Sequence, residues 1–154
     1  MTNLCSDVLK TLKGKTLVTA ESLTGGGIGA AITSVSGASE VYKGGVISYT
    51  NAVKESVLGV PGEILDRCGA VSAPVAEHMA SGVRKLLQAD IAVSVTGLAG
   101  PGGDEYGNPV GTVFVAYEDA CGAQVRHFCF EGNRDAVRHQ TARAALELIL
   151  EMNL

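Results

Sequence analysis

The chain has 154 residues, 46% hydrophobic and 18% charged, a globular composition long enough for one domain with a substantial core. Its net charge of −4 argues against a protein built to coat nucleic acid, while leaving room for a local basic site that holds one phosphate. The opening "MTNLCSDVLK" lacks a basic region followed by a long apolar run. No stretch approaches the roughly 20 apolar residues of a membrane span, so a soluble, cytoplasmic protein is expected.

Leu4, Val8, Leu9 and Leu12 stand at helical spacing, with Gly14 as a stop. "TLVTA", 16–20, reads as a short buried strand that runs into "ESLTGGG", and "IGAAITSV" then predicts a helix of small, close-packing residues. "GGVISYTN", 44–51, is a second strand ending in polar residues. "AVKESVLG" follows as a short helix closed by Gly59, and Pro61 opens another through "EILDRCG". Ser72 as N-cap and Pro74 in the first turn start a longer helix, with Val75, Met79, Val83, Leu86 and Leu87 as its apolar stripe.

"DIAVSVTG", 90–97, is too apolar for a half-exposed strand, which predicts a sheet covered on both faces. The loop "LAGPGGDEYGNPV" is long enough to suggest a function. "GTVFVAYE" and "AQVRHFCFE" are strands joined by the hairpin signal "DACG". The last helix begins at Asn133 as N-cap, with Val137, Thr141, Ala144, Ala145, Leu148 and Ile149 as its buried face. Alternating elements give an α/β class, and the late hairpin requires an antiparallel pair. The expected architecture is one three-layer α/β/α sandwich over residues 1–154, with a mixed sheet of about five or six strands.

In α/β sheets ligands sit beyond the carboxyl ends of strands. Three strands here end in polar or glycine-rich sequence: "TAESLTGGG", "ISYTN" and "VTGLAGPGG". Ser22 stands at a strand-to-helix junction, where helix N-terminal amides stabilise a phosphate or a developing oxyanion. The competing reading makes Ser22 or Thr24 the N-cap of that helix. The stretch matches neither G-x-G-x-x-G, nor the P-loop, nor the G-x-S-x-G elbow.

A serine nucleophile needs a base, and His78, His127 and His139 read as structural or surface groups. Tyr49 and Lys54 are the alternatives, set against Lys54 as an ordinary solvated helix residue. "GLAGPGG" lets backbone approach a ligand closely, or is simply a flexible connection. Arg134 and Arg138, four apart, either clamp a phosphate or leave Arg138 paired with Asp135. The four cysteines include no C-x-x-C pair and read as reduced, packed thiols, and no His, Cys or acidic cluster has metal-ligand spacing.

Six blocks taken in order, "TAESLTGGGIGAAIT", "GGVISYTNAVKESVLGV", "GAVSAPVAEHMA", "ADIAVSVTGLAGPGG", "PVGTVFVAY" and "FEGNRDAVRHQTARAAL", resemble the CinA C-terminal domain family. That family contains stand-alone nicotinamide-nucleotide amidohydrolases. The resemblance implies hydrolysis of the carboxamide of nicotinamide mononucleotide to nicotinate mononucleotide and ammonia, a step of pyridine-nucleotide salvage in NAD metabolism. It places the family's serine on Ser22, its tyrosine on Tyr49, its lysine on Lys54 and its arginine on Arg134. The common E-S-C-T-G-G block carries Leu23 in place of cysteine, which bears on packing beside the site more than on chemistry.

Ser22, Tyr49 and Lys54 are accordingly expected to be catalytic, with helix amides near Gly25 and Gly26 taking the oxyanion. Glu21, Thr24, Gly25, Gly26, Asn51, Thr96, Gly97, Gly100, Gly102, Arg134 and Arg138 are expected to bind substrate. A small-molecule substrate, no nucleic acid, no membrane, no metal or cofactor, and a homo-oligomer, taken as a dimer, complete the expectation. The alternative is a non-catalytic nucleotide-binding or regulatory domain of the competence-damage-inducible type.

Overall fold

The sequence periodicities become six α-helices and five strands in the computed structural model, which describes residues 1–154. In chain order these are α1 (Thr2–Thr11), β1 (Leu17–Glu21), α2 (Gly27–Thr33), β2 (Tyr42–Ile47), α3 (Asn51–Ser56) and α4 (Gly62–Cys68). Then come α5 (Ala73–Leu87), β3 (Ile91–Gly97), β4 (Thr112–Asp119), β5 (Gly122–Cys129) and α6 (Arg134–Met152). The strands form one sheet in the order β2-β1-β3-β4-β5. β1 runs parallel to β2 and β3, while β3–β4 and β4–β5 are antiparallel. The sheet is therefore mixed, with five strands, and helices cover both faces.

Side-chain alternation divides each central strand between two cores. Leu17 of β1 and Ile91, Val93 and Val95 of β3 face α1, α2 and α6, where they meet Val8, Ile28, Ile32 and Ile149. Val18 and Ala20 of β1, with Ala92 of β3, face α4 and α5 and meet Leu65, Val75, Met79 and Val83. Burying each such aliphatic side chain contributes about 1.5–3 kcal/mol, so a charge at Ile32 or Met79 would break one layer. Small residues set the spacing on the second face. Gly82 of α5 lies so close to the Leu58 carbonyl that a Cβ there would collide with it.

Most expected elements form close to where the sequence put them, with instructive shifts. β2 stops at Ile47, and "SYTN" becomes the lead into α3, capped by Thr50 accepting from the Val53 N–H. Ser72 does begin α5, but its hydroxyl donates to the Gly69 carbonyl and caps no helix amide. Leu86, counted into the apolar stripe, is 51% exposed and lies off the buried face of α5. Asn133 caps α6 through its side chain, as its position suggested. No helix is long and apolar enough to cross a membrane.

Candidate active site

β1 connects to β2 on one side and, after the intervening helices, β3 returns to its other side. This reversal opens a crevice beyond the carboxyl end of β1, the place where open α/β sheets bind ligands. Glu21 and Ser22 arrive there in succession and so face opposite layers. Glu21 turns toward α2, where its carboxylate accepts from the Thr24 hydroxyl at 2.6 Å and from the Ile28 and Gly29 amides at 2.9 and 3.0 Å. Ser22 turns the other way, toward α3.

Lys54 meets it there. Only 1% exposed, Lys54 donates from Nζ to Ser22 Oγ at 2.8 Å and to the Ser48 carbonyl at 2.7 Å, with a longer contact to the Tyr49 carbonyl at 3.5 Å. It forms no salt bridge with any carboxylate. Burial disfavours the ammonium and lowers the lysine pKa from its usual 10.5 to about 8. Ser48 ties the two strand ends together, donating through its N–H and its hydroxyl to the Glu21 carbonyl at 2.7 and 3.3 Å. A buried amine of lowered basicity, hydrogen-bonded to a serine hydroxyl, has the geometry that a nucleophile–base pair requires.

The pair opens into a cavity of about 500 Å³, within the range of small-molecule sites. Tyr49, Asn51, Thr96, Gly97, Gly100, Gly102 and Arg134 line it together with Ser22 and Lys54. Tyr49 is 59% exposed, and its hydroxyl accepts from Arg134 at 3.2 Å without bonding to Ser22 or Lys54. Arg134 also donates to the Gly100 carbonyl at 2.8 Å, holding the glycine loop as one wall. Leu23, 4% exposed, lines the cavity beside Ser22.

Five expected substrate contacts lie elsewhere: Glu21, Thr24, Gly25, Gly26 and Arg138 are absent from the cavity lining. Glu21 and Thr24 are 2% exposed and bonded to each other beneath the turn. Gly25 and Gly26 adopt positive φ, +59° and +100°, and serve the turn itself. The Gly25 amide donates to the Ser22 carbonyl, so it is no oxyanion donor. Arg138 grips the Leu23 and Thr24 carbonyls from outside the cavity. The Glu21 carboxylate takes the α2 amides that the sequence had offered to a substrate anion.

Sequence reasoning missed Ala70 and Val71 on the cavity wall, whereas Leu98, Ala99 and Pro101, also on it, belong to the "GLAGPGG" loop that the sequence offered to a ligand. Ala70 and Val71 lie in the α4–α5 turn, held by Thr96 Oγ1 donating to the Ala70 carbonyl at 2.8 Å. "GAVS" carries no polar signature, and only the strand order brings it to the site. No group of three or more His, Cys, Asp or Glu side chains is arranged to hold a metal ion.

Comparison with known proteins gives this arrangement a context. The family model for the CinA C-terminal domain matches residues 1–153. The chain belongs to the CinA C-terminal domain family. Nicotinamide-nucleotide amidohydrolase PncC of Escherichia coli K12 is 43% identical over 143 residues, covering 92% of this chain and 87% of that protein. A CinA-like protein of Parasynechococcus marenigrum is 48% identical over 149 residues, 94% of this chain but 36% of that protein. The domain thus spans about a third of the length of the curated CinA-like relatives it matches. Among solved structures, a competence damage-inducible protein A from Klebsiella pneumoniae superposes with TM-score 0.95 at 36% identity, covering 97% of this chain and 94% of that one. A competence/damage inducible protein from Agrobacterium tumefaciens gives 0.93 at 38% identity, covering 99% and 95%.

Proposed function

We propose that this single domain hydrolyses the carboxamide of nicotinamide mononucleotide, yielding nicotinate mononucleotide for pyridine-nucleotide salvage and ammonia. The observation that carries the reading is the 2.8 Å bond from a buried, counter-ion-free lysine to the serine of the crevice. The amidohydrolase relative supports the substrate. Ser22 Oγ attacks the carboxamide carbon while its proton passes to neutral Lys54. The tetrahedral oxyanion collapses, the C–N bond breaks, and Lys54 returns the proton to the leaving ammonia. Water then attacks the acyl-serine, Lys54 takes its proton and gives it to Ser22 Oγ, and nicotinate mononucleotide leaves.

Lys54 takes the base role over Tyr49 because only Lys54 touches the serine. With a pKa near 8, about a tenth of Lys54 is neutral at pH 7. Tyr49 presents an exposed ring as a face for the cationic pyridinium. Arg134, Asn51 and the glycine loop from Gly97 to Gly102 surround the place left for ribose and phosphate.

The test is ammonia release from nicotinamide mononucleotide, nicotinamide riboside and nicotinamide. The mononucleotide should be hydrolysed fastest, and Ser22→Ala should abolish the release. Binding of the mononucleotide without ammonia would transfer the reading to the nucleotide-binding alternative.

A further inference from the structure

Fifteen residues line the cavity, and none is an aspartate or a glutamate. A carboxamide brings two N–H donors into it, and each needs an acceptor once water is displaced. Several acceptors on the wall are already taken. Ser22 Oγ accepts from Lys54, the Tyr49 hydroxyl and the Gly100 carbonyl accept from Arg134, and the Val71 carbonyl accepts from Asn108.

Thr96 differs. Glu21 pairs with Val95 in the parallel ladder, and the Ser22 N–H donates to the Val95 carbonyl. One residue on, Ser22 and Thr96 therefore stand level on neighbouring strands, about 4.8 Å apart, with side chains on the same face. Thr96 Oγ1 donates to the Ala70 carbonyl at 2.8 Å, and both residues line the cavity, so this bond runs along its wall. A hydroxyl has one proton and two lone pairs. The proton of Thr96 is committed to Ala70, and no group of the protein donates to its oxygen. What remains at this threonine, 1% exposed, is an acceptor with no proton left to give.

We infer that Thr96 binds the nitrogen of the carboxamide: Oγ1 accepts one of its N–H groups beside Ser22 and keeps that contact until ammonia leaves. The inference rests on the amidase reading above. Attack by Ser22 leaves the nitrogen with two hydrogens and a lone pair that must face Lys54. One N–H held by Thr96 limits rotation about the C–N bond and keeps the lone pair on the lysine side. Lys54 then gives the nitrogen the proton taken from Ser22, the C–N bond breaks with its electron pair on nitrogen, and ammonia departs. The carboxylate product has no N–H to offer Thr96, so the contact separates substrate from product.

The experiment measures kcat/KM for nicotinamide mononucleotide and for the methyl ester of nicotinate mononucleotide, whose methoxy group carries no N–H. Thr96→Val keeps the shape and removes the acceptor. It should lower kcat/KM for the amide about 10–100-fold and change the ester by less than about three-fold. Thr96→Ser, which retains the hydroxyl, should keep most of the amide rate. Equal losses on both substrates would overturn the inference and leave Thr96 as a support for the Ala70 wall. An unchanged amide rate in Thr96→Val would overturn it as well. Binding to Ser22→Ala covers the case in which Thr96→Val does not fold. There the mononucleotide should bind about ten-fold more tightly than its 3-acetylpyridine counterpart, in which a methyl replaces the amino group. Equal affinities would overturn the inference. A parent chain that releases no ammonia removes the amidase reading, and the inference with it.

Discussion

The two sides of the sheet are built to different rules. In the parallel half, all five residues of β1 and the first six of β3 are buried, with helices on both faces. In the antiparallel half, β5 is an edge strand whose residues are exposed or half-buried throughout. Ser22, Lys54 and the glycine loop all follow parallel strands, whose crossovers return the chain so that carboxyl ends lie together. The hairpin of β4 and β5 contributes cover and a stacked Phe114–His127 pair with centroids 4.5 Å apart, but no side chain of either strand lines the cavity. β1 and β3 are clamped between two layers, whereas β2, which leads to Lys54, is an edge strand of exposed and half-buried residues, and Lys54 is held instead by its own burial and its bonds to Ser22 and the Ser48 carbonyl.

Substitutions can break this contrast in graded steps. Ser22→Ala should lower kcat by about 10³-fold or more while leaving the thermal transition close to the parent's. Circular dichroism alongside the ammonia assay separates loss of chemistry from loss of fold. A surviving parent rate would move the chemistry away from the crevice.

Lys54→Met should be nearly as damaging to activity, and it carries a second signature in pH. The parent's kcat/KM should rise about tenfold per pH unit up to about 8 and then level, following the neutral amine. Stability should move in the same direction for a related reason. Lys54 binds its proton less tightly folded than unfolded, so between about 8 and 10.5 the unfolded chain holds more protons. The penalty of the buried charge is fully present below that window and is relieved as pH rises through it, by about 3 kcal/mol in total. Thermal melts of parent and Lys54→Met across pH 7–10.5 should differ in slope, and parallel curves would deny the buried charge.

Arg134→Ala should raise KM for the mononucleotide by about 10–100-fold with a smaller effect on kcat, and leave nicotinamide riboside nearly unaffected. Equal losses for both compounds would assign Arg134 to the wall and not to the phosphate. Gln124→Thr, on the exposed edge strand, should change stability by less than about 0.5 kcal/mol and activity not at all. A strong effect there would erase the distinction between the two halves.

Much of this was readable from local pattern. Apolar runs located β1 and β3, the hairpin signal located β4 and β5, and strand-end reasoning gathered Ser22, Lys54 and Thr96. Glu21 was legible too, in retrospect: alternation along β1 sends neighbours to opposite faces, and a carboxylate suits the start of a helix. The two arginines of α6 were not. They lie one turn apart on the same helix, and whether each reaches the cavity or the back of a turn depends on how α6 crosses a segment 115 residues earlier in the chain. The apolar "GAVS" wall was illegible for the same reason, since its role comes from position alone.

The lysine without a carboxylate partner also bears on how the reaction ends. Converting a neutral amide to a carboxylate, as proposed, adds one negative charge beside Lys54, and a protonated Lys54 then becomes the counter-ion it otherwise lacks. Product is thereby held most firmly on the acid side of pH 8 and released as the amine loses its proton. Inhibition by nicotinate mononucleotide should weaken as pH rises from 7 to 9, while inhibition by an uncharged carboxamide analogue stays level.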